Sequence, residues 1–292
     1  MNKPSFIISA PIDTYSGYGA RARDIVKSII ELDKYDVKVM PQRWGDTPSG
    51  FLDSHDKWKF LQPLCIQNLT SKPDIWMQIT IPSEFQAIGN YNIGCTAGIE
   101  STGCASPWIE GLNRMDLNLV SSEHSKKVFK DIKFEQKDKQ TNQVVNIIKL
   151  EKPIEVIFEG VDLDTYFYKE PKEVNINLDK IKESFCYLFV GHWLGGSFGH
   201  DRKNIGVLVK NFFEAFKGQK SQPALILKSC IGRNSYLSRE ELLQKIKVIK
   251  KSYPKGTKLP NVYIFNGNLS DEQINDLYNH PKVKSMVSFT KG

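Results

Sequence analysis

Several common devices are missing from this 292-residue chain. Its five cysteines, Cys65, Cys95, Cys104, Cys186 and Cys230, are an odd number with no Cys-x-x-Cys pair and no metal-ligand spacing. That pattern argues against a disulfide scaffold and a structural zinc site, and for a reducing compartment. No apolar run approaches the roughly 20 residues needed to span a bilayer. Neither sign of charge dominates, because 40 Lys plus Arg against 33 Asp plus Glu leave +7. Such an excess suits anionic small molecules, a lipid-linked acceptor or nucleic acid, and selects none of them. Met1-Asn2-Lys3-Pro4 runs straight into an apolar strand, so no signal peptide is expected. A cytoplasmic protein is the resulting expectation, with no specific nucleic-acid partner.

What is present is the composition of a globular chain, 40% hydrophobic and 25% charged. At about 150 residues per domain it holds roughly two. Strand-sized apolar runs at 5–10, 37–40, 73–79, 91–97 and 117–120 alternate with helical periodicity at 20–32, 107–112 and 121–129. That alternation predicts a parallel sheet wrapped by helices. A polar stretch over 131–150 reads as a surface loop or hairpin insertion, before a strand at 153–158 and a turn at Glu159-Gly160-Val161-Asp162. A polar segment beginning near residue 166 reads as a linker to about 183. The rhythm then restarts, with strands at 185–190, 224–228, 262–265 and 283–287 and helices at 204–216, 238–251 and 270–279. Ser238 and Ser270 are the expected caps of the last two helices. The reading is therefore α/β, with two Rossmann-like parallel-sheet domains over 1–165 and 184–292.

Ligands of open parallel sheets bind beyond the carboxyl ends of the strands, so the loops there are the places to search. Ser16-Gly17-Tyr18-Gly19 follows the first strand. Glycines permit close backbone approach, and the helix start after them offers N–H groups to an anion. The same residues also fit a plain strand-to-helix turn. Gly17-x-Gly19 continues to Ala22 rather than glycine, and Pro41 stands where a dinucleotide fold places a ribose-binding carboxylate, which disfavours a dehydrogenase. The second loop runs from Gly191 and His192 through Gly195, Gly196 and Gly199 to Arg202-Lys203-Asn204, a cationic cradle suited to a diphosphate or else a flexible surface loop with a solvated Arg–Lys pair. His192, His200 and Asp201 lack the spacing of a metal site. Glu100, just past the fourth strand, is placed for a general base or an acceptor contact, and equally for a helix cap or a lysine partner. Asp162-Leu163-Asp164 has the form of a metal-holding Asp-x-Asp but lies beside the linker.

Taken in order, these elements resemble the group 1 (family 4-like) glycosyltransferases. The resemblance rests on Ser16-Gly17-Tyr18-Gly19, Glu159-Gly160-Val161-Asp162 with Phe167, and Val190-Gly191 leading to Arg202-Lys203-Asn204. It continues through Asn266-Gly267-Asn268-Leu269-Ser270 with Leu277-Tyr278, and then Ser288-Phe289-Thr290-Lys291-Gly292. It implies a GT-B type fold with two Rossmann-like domains across a cleft, and retaining, metal-independent transfer of a sugar from a nucleoside-diphosphate sugar. No cofactor is implied, and the acceptor, a carbohydrate, a lipid-linked group or another, is left open. Lys203 matches the lysine that contacts the donor diphosphate, Gly17 and Gly19 match the loop near the transferred sugar, and Gly267, Asn268 and Leu269 match the nucleobase loop. Gly191 and His192 stand where the family has a Gly-Arg pair, with Arg202 as a second charge, and Glu100 stands near the place of a histidine that touches the sugar. Family members continue past the last strand with a Glu-Gly-Phe-Gly loop and a second glutamate, so the resemblance also implies that this second domain is truncated and holds only part of a donor site. A degenerate or non-catalytic nucleotide-sugar-binding module is the alternative that His192 and the missing loop leave open.

Overall fold

The buried strands obey a period of two, and that period builds the layers. The computed structural model describes residues 3–290 except Asp46, Ser197 and Arg233, so part of the second glycine-rich loop and the Lys291-Gly292 end of the last motif lie outside the described residues. The chain divides into two compact units, 1–159 and 160–292.

The first unit comprises β1 (Ser5–Ala10), α1 (Gly17–Glu31), β2 (Asp36–Pro41), α2 (Phe51–Ser54), β3 (Ile75–Ile79), β4 (Tyr91–Thr96), α3 (Ser106–Asn113), β5 (Leu117–Val120), α4 (Glu123–Asp131), β6 (Lys133–Lys137), β7 (Val144–Lys149) and β8 (Ile154–Val156). Six strands pair in the order β2-β1-β3-β4-β5-β8, all parallel. Phe6, Ile8 and Ala10 pack on one face with Ala22 and Val26 of α1, while Ile7 and Trp76 pack on the other with Ile109, Leu112 and Phe129. Alternate side chains of a strand point to opposite faces, so one hexapeptide serves two cores. The polar stretch after α4 is the antiparallel hairpin β6–β7. A 3-10 helix over Asp56–Leu64, unforeseen in the sequence, buries Trp58 and Leu61 against the α1 side of the sheet.

The second unit comprises β9 (Cys186–Val190), α5 (Ile205–Phe216), β10 (Ala224–Lys228), α6 (Tyr236–Lys251), β11 (Val262–Phe265), α7 (Asp271–Asn279) and β12 (Val283–Met286). Its four parallel strands run β11-β10-β9-β12. Leu225 and Leu227 face α5 and α6, whereas Ala224 and Ile226 face Leu277 of α7. Each fully buried leucine of this kind contributes about 1.5–3 kcal/mol relative to exposure.

Three expectations need correction. Helix α1 starts at Gly17 rather than residue 20, because the Ser16 hydroxyl accepts the Gly19 N–H at 2.9 Å and closes the first turn there. Helix α6 is capped by Ser235, which accepts from the Ser238 N–H at 3.1 Å; Ser238 itself accepts the Ile231 N–H at 2.8 Å. The segment read as a linker is bound to the second unit. Leu178 and Ile181 are buried with Cys186, Leu188 and Leu277, and the Lys169 ammonium meets the Asp276 carboxylate at 2.6 Å. Unit two therefore begins at residue 160, and the polar composition of 166–183 conceals two aliphatic core anchors and a largely buried ion pair.

Candidate functional site

Parallel pairing puts the carboxyl ends of all strands of a sheet along one edge. In the first unit that edge carries the β1–α1 turn and the loop after β4. Thr14 Oγ1 donates to the Pro11 carbonyl at 2.8 Å and lies 2.8 Å from Ser16 Oγ, the α1 cap. A Cβ on Gly19 would stand 2.4 Å from the Thr14 carbonyl oxygen, so only glycine lets the helix start this close to the turn. Gly17 differs, since nothing lies within 4 Å of a Cβ built there. Behind the turn, buried Arg23 donates to the carbonyls of Ile12 at 2.8 Å and Thr14 at 3.1 Å. Its guanidinium lies 3.4 Å from the centroid of the Phe51 ring, a cation–π stack that holds the turn from below.

Tyr18 joins this turn to the loop that carries Glu100. Its hydroxyl lies 2.9 Å from Thr96 Oγ1 and accepts the Ala97 N–H at 3.0 Å, while its ring stacks on Trp44 at 4.0 Å. Burial pushes the Tyr18 phenol up, so it stays protonated at neutral pH. The loop beyond is anchored on α4: Ser125 Oγ accepts the Ile99 N–H at 3.2 Å, and Ser121 Oγ donates to Ala97 O at 2.7 Å. Ser121 is thus spent on this loop, and Ser122 alone caps α4. Glu100 stands exposed at the end of the loop. Gly17, Gly19 and Glu100 therefore share one edge, gathered by Tyr18.

In the second unit, Gly191 leaves β9 under the Phe189 ring, 3.0 Å from where a Cβ would sit. His192 follows, with Nδ1 3.6 Å from Cys230 Sγ in the loop after β10. Burial above all, then the charges of Lys228 and Lys203, push the His192 imidazole below the ordinary histidine range, so it is neutral at pH 7. Asp201 is buried and accepts the Ile205 N–H at 3.0 Å; it starts α5 rather than serving as a ligand. Asn204 takes the left-handed conformation, φ 53°, at the head of that helix. Just before it, Lys203 is half-buried and Arg202 exposed. Among the described residues no cluster of three or more His, Cys, Asp or Glu side chains is placed to hold a metal. Asp162 accepts from the Asp164 N–H at 3.1 Å and from Thr165 Oγ1 at 2.8 Å, an ordinary turn.

The loop after β11 completes the edge. Gly267 has φ 140° and open space around a built Cβ. Asn234 pins it, its Oδ1 accepting the Gly267 N–H at 3.3 Å and its Nδ2 donating to Asn268 Oδ1. Asn268 is exposed, whereas Leu269 packs on the core beside Leu277. Lys228, the last residue of β10, donates from Nζ to the Gly267 carbonyl at 2.7 Å. Burial pushes its ammonium below the usual lysine range. The structure thus brings Gly191, His192, Lys203 and Gly267 to one edge, and it adds Lys228 and Asn234, which sequence reasoning passed over. A lysine closing the apolar run Ala224-Leu225-Ile226-Leu227 was the available signal.

No protein-family model matches the chain, and no curated protein matches it in sequence. Solved structures do. E. coli trehalose-6-phosphate protein bound with UDP-2-fluoro glucose covers 98% of this chain and 78% of its own, with a TM-score of 0.55 at 10% identity. A trehalose-6-phosphate synthase, studied with bisubstrate glycomimetics for the mechanism of enzymatic glycosyltransfer with retention, covers 94% of this chain and 75% of its own, with a TM-score of 0.51 at 9% identity. The chain has their fold, with two Rossmann-like parallel-sheet units of the GT-B type.

Proposed function

We propose that this chain is a glycosyltransferase that moves a sugar from a nucleoside-diphosphate sugar to a carbohydrate, lipid-linked or other acceptor. The observation that carries the proposal is the carboxyl edge of the second sheet, which gathers Lys203, Lys228 and His192 beside the Gly191 and Gly267 loops. Charge accumulates on the diphosphate as the glycosidic bond breaks, and fixed positive groups there stabilise the transition state more than the ground state. That chemistry needs no metal where lysines and helix-start N–H groups supply the charge, which supports a metal-independent reaction. The trehalose-6-phosphate structures that share the fold, one with a UDP-sugar bound and one studied for transfer with retention, support a nucleotide-sugar donor and a retaining course. Lys203 and Arg202 then hold the diphosphate, Gly191 and His192 its approach, and Gly267, Asn268 and Leu269 the nucleobase side. Gly17, Gly19 and Glu100 line the sugar and acceptor side on the first unit. Five free cysteines favour the cytoplasm, and no helix among the described residues is long and apolar enough to cross a membrane.

Titration calorimetry with UDP, GDP, ADP and NADH tests the donor class. Saturable binding of a nucleoside diphosphate supports the proposal, whereas tight binding of NADH alone replaces it with a dehydrogenase. The neutral imidazole at His192 favours a second reading, a donor-binding module without transfer, because it removes a charge from the leaving-group site. Release of nucleoside diphosphate from a UDP- or GDP-sugar by the 292-residue chain rules that reading out.

A further inference from the structure

Lys228 occupies a place where a lysine is expensive. It closes β10 on the face that carries Ala224 and Ile226, in register with Val190 of β9 and Phe265 of β11. It is partly withdrawn from water, and an ammonium loses hydration there that only a partner group restores. No acidic side chain among the described residues pairs with it, and one of its three N–H donors goes to a neutral acceptor, the Gly267 carbonyl. An apolar residue at this strand end, opposite Val190 and Phe265, would leave no charge to compensate. The groups around the ammonium are the Cys230 thiol and His192, and His192 in turn feels Lys203. All lie beyond the carboxyl ends of the strands.

We infer that Lys228 is a binding residue of this edge, an ammonium that contacts a phosphate of the bound nucleotide while its bond to Gly267 ties the nucleobase loop to the phosphate site. The inference deepens the nucleoside-diphosphate reading above and rests on it. A phosphate oxygen offers the anionic acceptor the ammonium lacks, and charge-assisted bonds of this type are about twice as strong as neutral ones. The Gly267 bond keeps the head group aimed while the site is empty. Two consequences of opposite sign follow. Removing the charge weakens phosphate binding, and it also relieves the desolvated ammonium, so the unliganded protein becomes no less stable. A lysine kept for packing or for loop structure alone gives the reverse pattern.

The test compares the wild-type chain with Lys228→Met, Lys228→Arg and, as a surface control, Lys251→Met. Affinity for UDP and for inorganic pyrophosphate is measured by calorimetry, and thermal unfolding is followed without ligand. Expected are a tenfold or greater loss of affinity for both ligands in Lys228→Met, recovery to within about threefold of wild type in Lys228→Arg, and no change in Lys251→Met. The unfolding temperature of Lys228→Met is expected to equal or exceed that of wild type. Wild-type affinity retained in Lys228→Met, while Lys203→Ala weakens binding, overturns the role of Lys228 and leaves the nucleotide reading intact. A Lys228→Met protein that loses affinity together with its cooperative unfolding, and is not recovered by arginine, also overturns it. Failure of the wild-type chain to bind UDP, GDP, ADP or pyrophosphate removes both readings together.

Discussion

The two sheets present carboxyl edges of opposite character. On the first, neutral hydroxyls and carbonyls satisfy one another in two local networks, Thr14 with Ser16 and Tyr18 with Thr96, braced from below by buried Arg23, with Glu100 exposed beyond them. On the second, the lysines are cations, Lys228 partly desolvated, and burial together with these lysines holds His192 neutral. A neutral network is finished when the chain folds, whereas a desolvated cationic cluster reaches its lowest energy when an anion arrives. The same parallel-sheet plan thus yields one edge that is pre-shaped and one that is pre-charged. In the proposed reaction the first suits a sugar and an acceptor hydroxyl, and the second suits a diphosphate leaving group.

Four measurements break or sharpen that contrast. Lys203→Ala should weaken nucleoside-diphosphate binding by about 1.5–3 kcal/mol, the scale of a hydrogen bond to a charged group. Calorimetry giving unchanged affinity would reduce Lys203 to a surface lysine. Gly19→Ala forces backbone apart at the 2.4 Å approach to Thr14 and should destabilise the protein by about 1–3 kcal/mol, as overpacking does. The cost should appear in denaturant unfolding, with UDP affinity retained, since the damage lies in the first unit. Tyr18→Phe should cost about 0.5–1.5 kcal/mol through the lost bonds to Thr96 and Ala97, visible as faster amide exchange at Ala97. Unchanged exchange there would mean that the hydroxyl does not join the two loops.

The smallest effect concerns pH. His192 has a folded-state pKa depressed below 6.5, so below that pH the unfolded chain takes up the proton first and stability falls as pH drops. His280, lowered by burial and then by Lys282, acts in the same direction. A bound diphosphate favours protonated His192, so wild-type affinity should gain on that of His192→Asn as pH falls from 7 to 5.5. The difference between the two titrations cancels the ionisation of the phosphate itself. Parallel pH profiles would show that the imidazole does not face the anion.

What the sequence disclosed follows from how each feature encodes itself. Strands β1, β5, β10 and β11 are short apolar runs bounded by polar residues or proline, and their limits match the expectation to the residue. Helix α1 hid its first turn because glycines at 17 and 19 have poor helix propensity, although Ser16 is an ordinary cap. Ser238 reads as the cap of α6 in the sequence, and only the fold shows that it is engaged by Ile231 while Ser235 caps the helix. Lys228 announced itself only as a lysine closing an apolar run, and Asn234 not at all, since their meaning depends on Gly267 more than thirty residues away. Residue type announces a site when the spacing is local; tertiary placement announces the rest.

The strap over 160–183 carries a consequence for the order of events during synthesis. Its contacts close late: Lys169 waits for Asp276, 107 residues downstream, and the Lys169 N–H waits for Asn279. The first unit has its last sheet strand once β8 leaves the ribosome, and it can fold while the second is still being made. The second unit cannot fully seat its opening segment until α7 has emerged. Leu178 and Ile181 can meet Leu188 and Ile226 as β9 and β10 form, but Leu277 closes their cluster last, so a ribosome paused after α6 would hold this core half-covered.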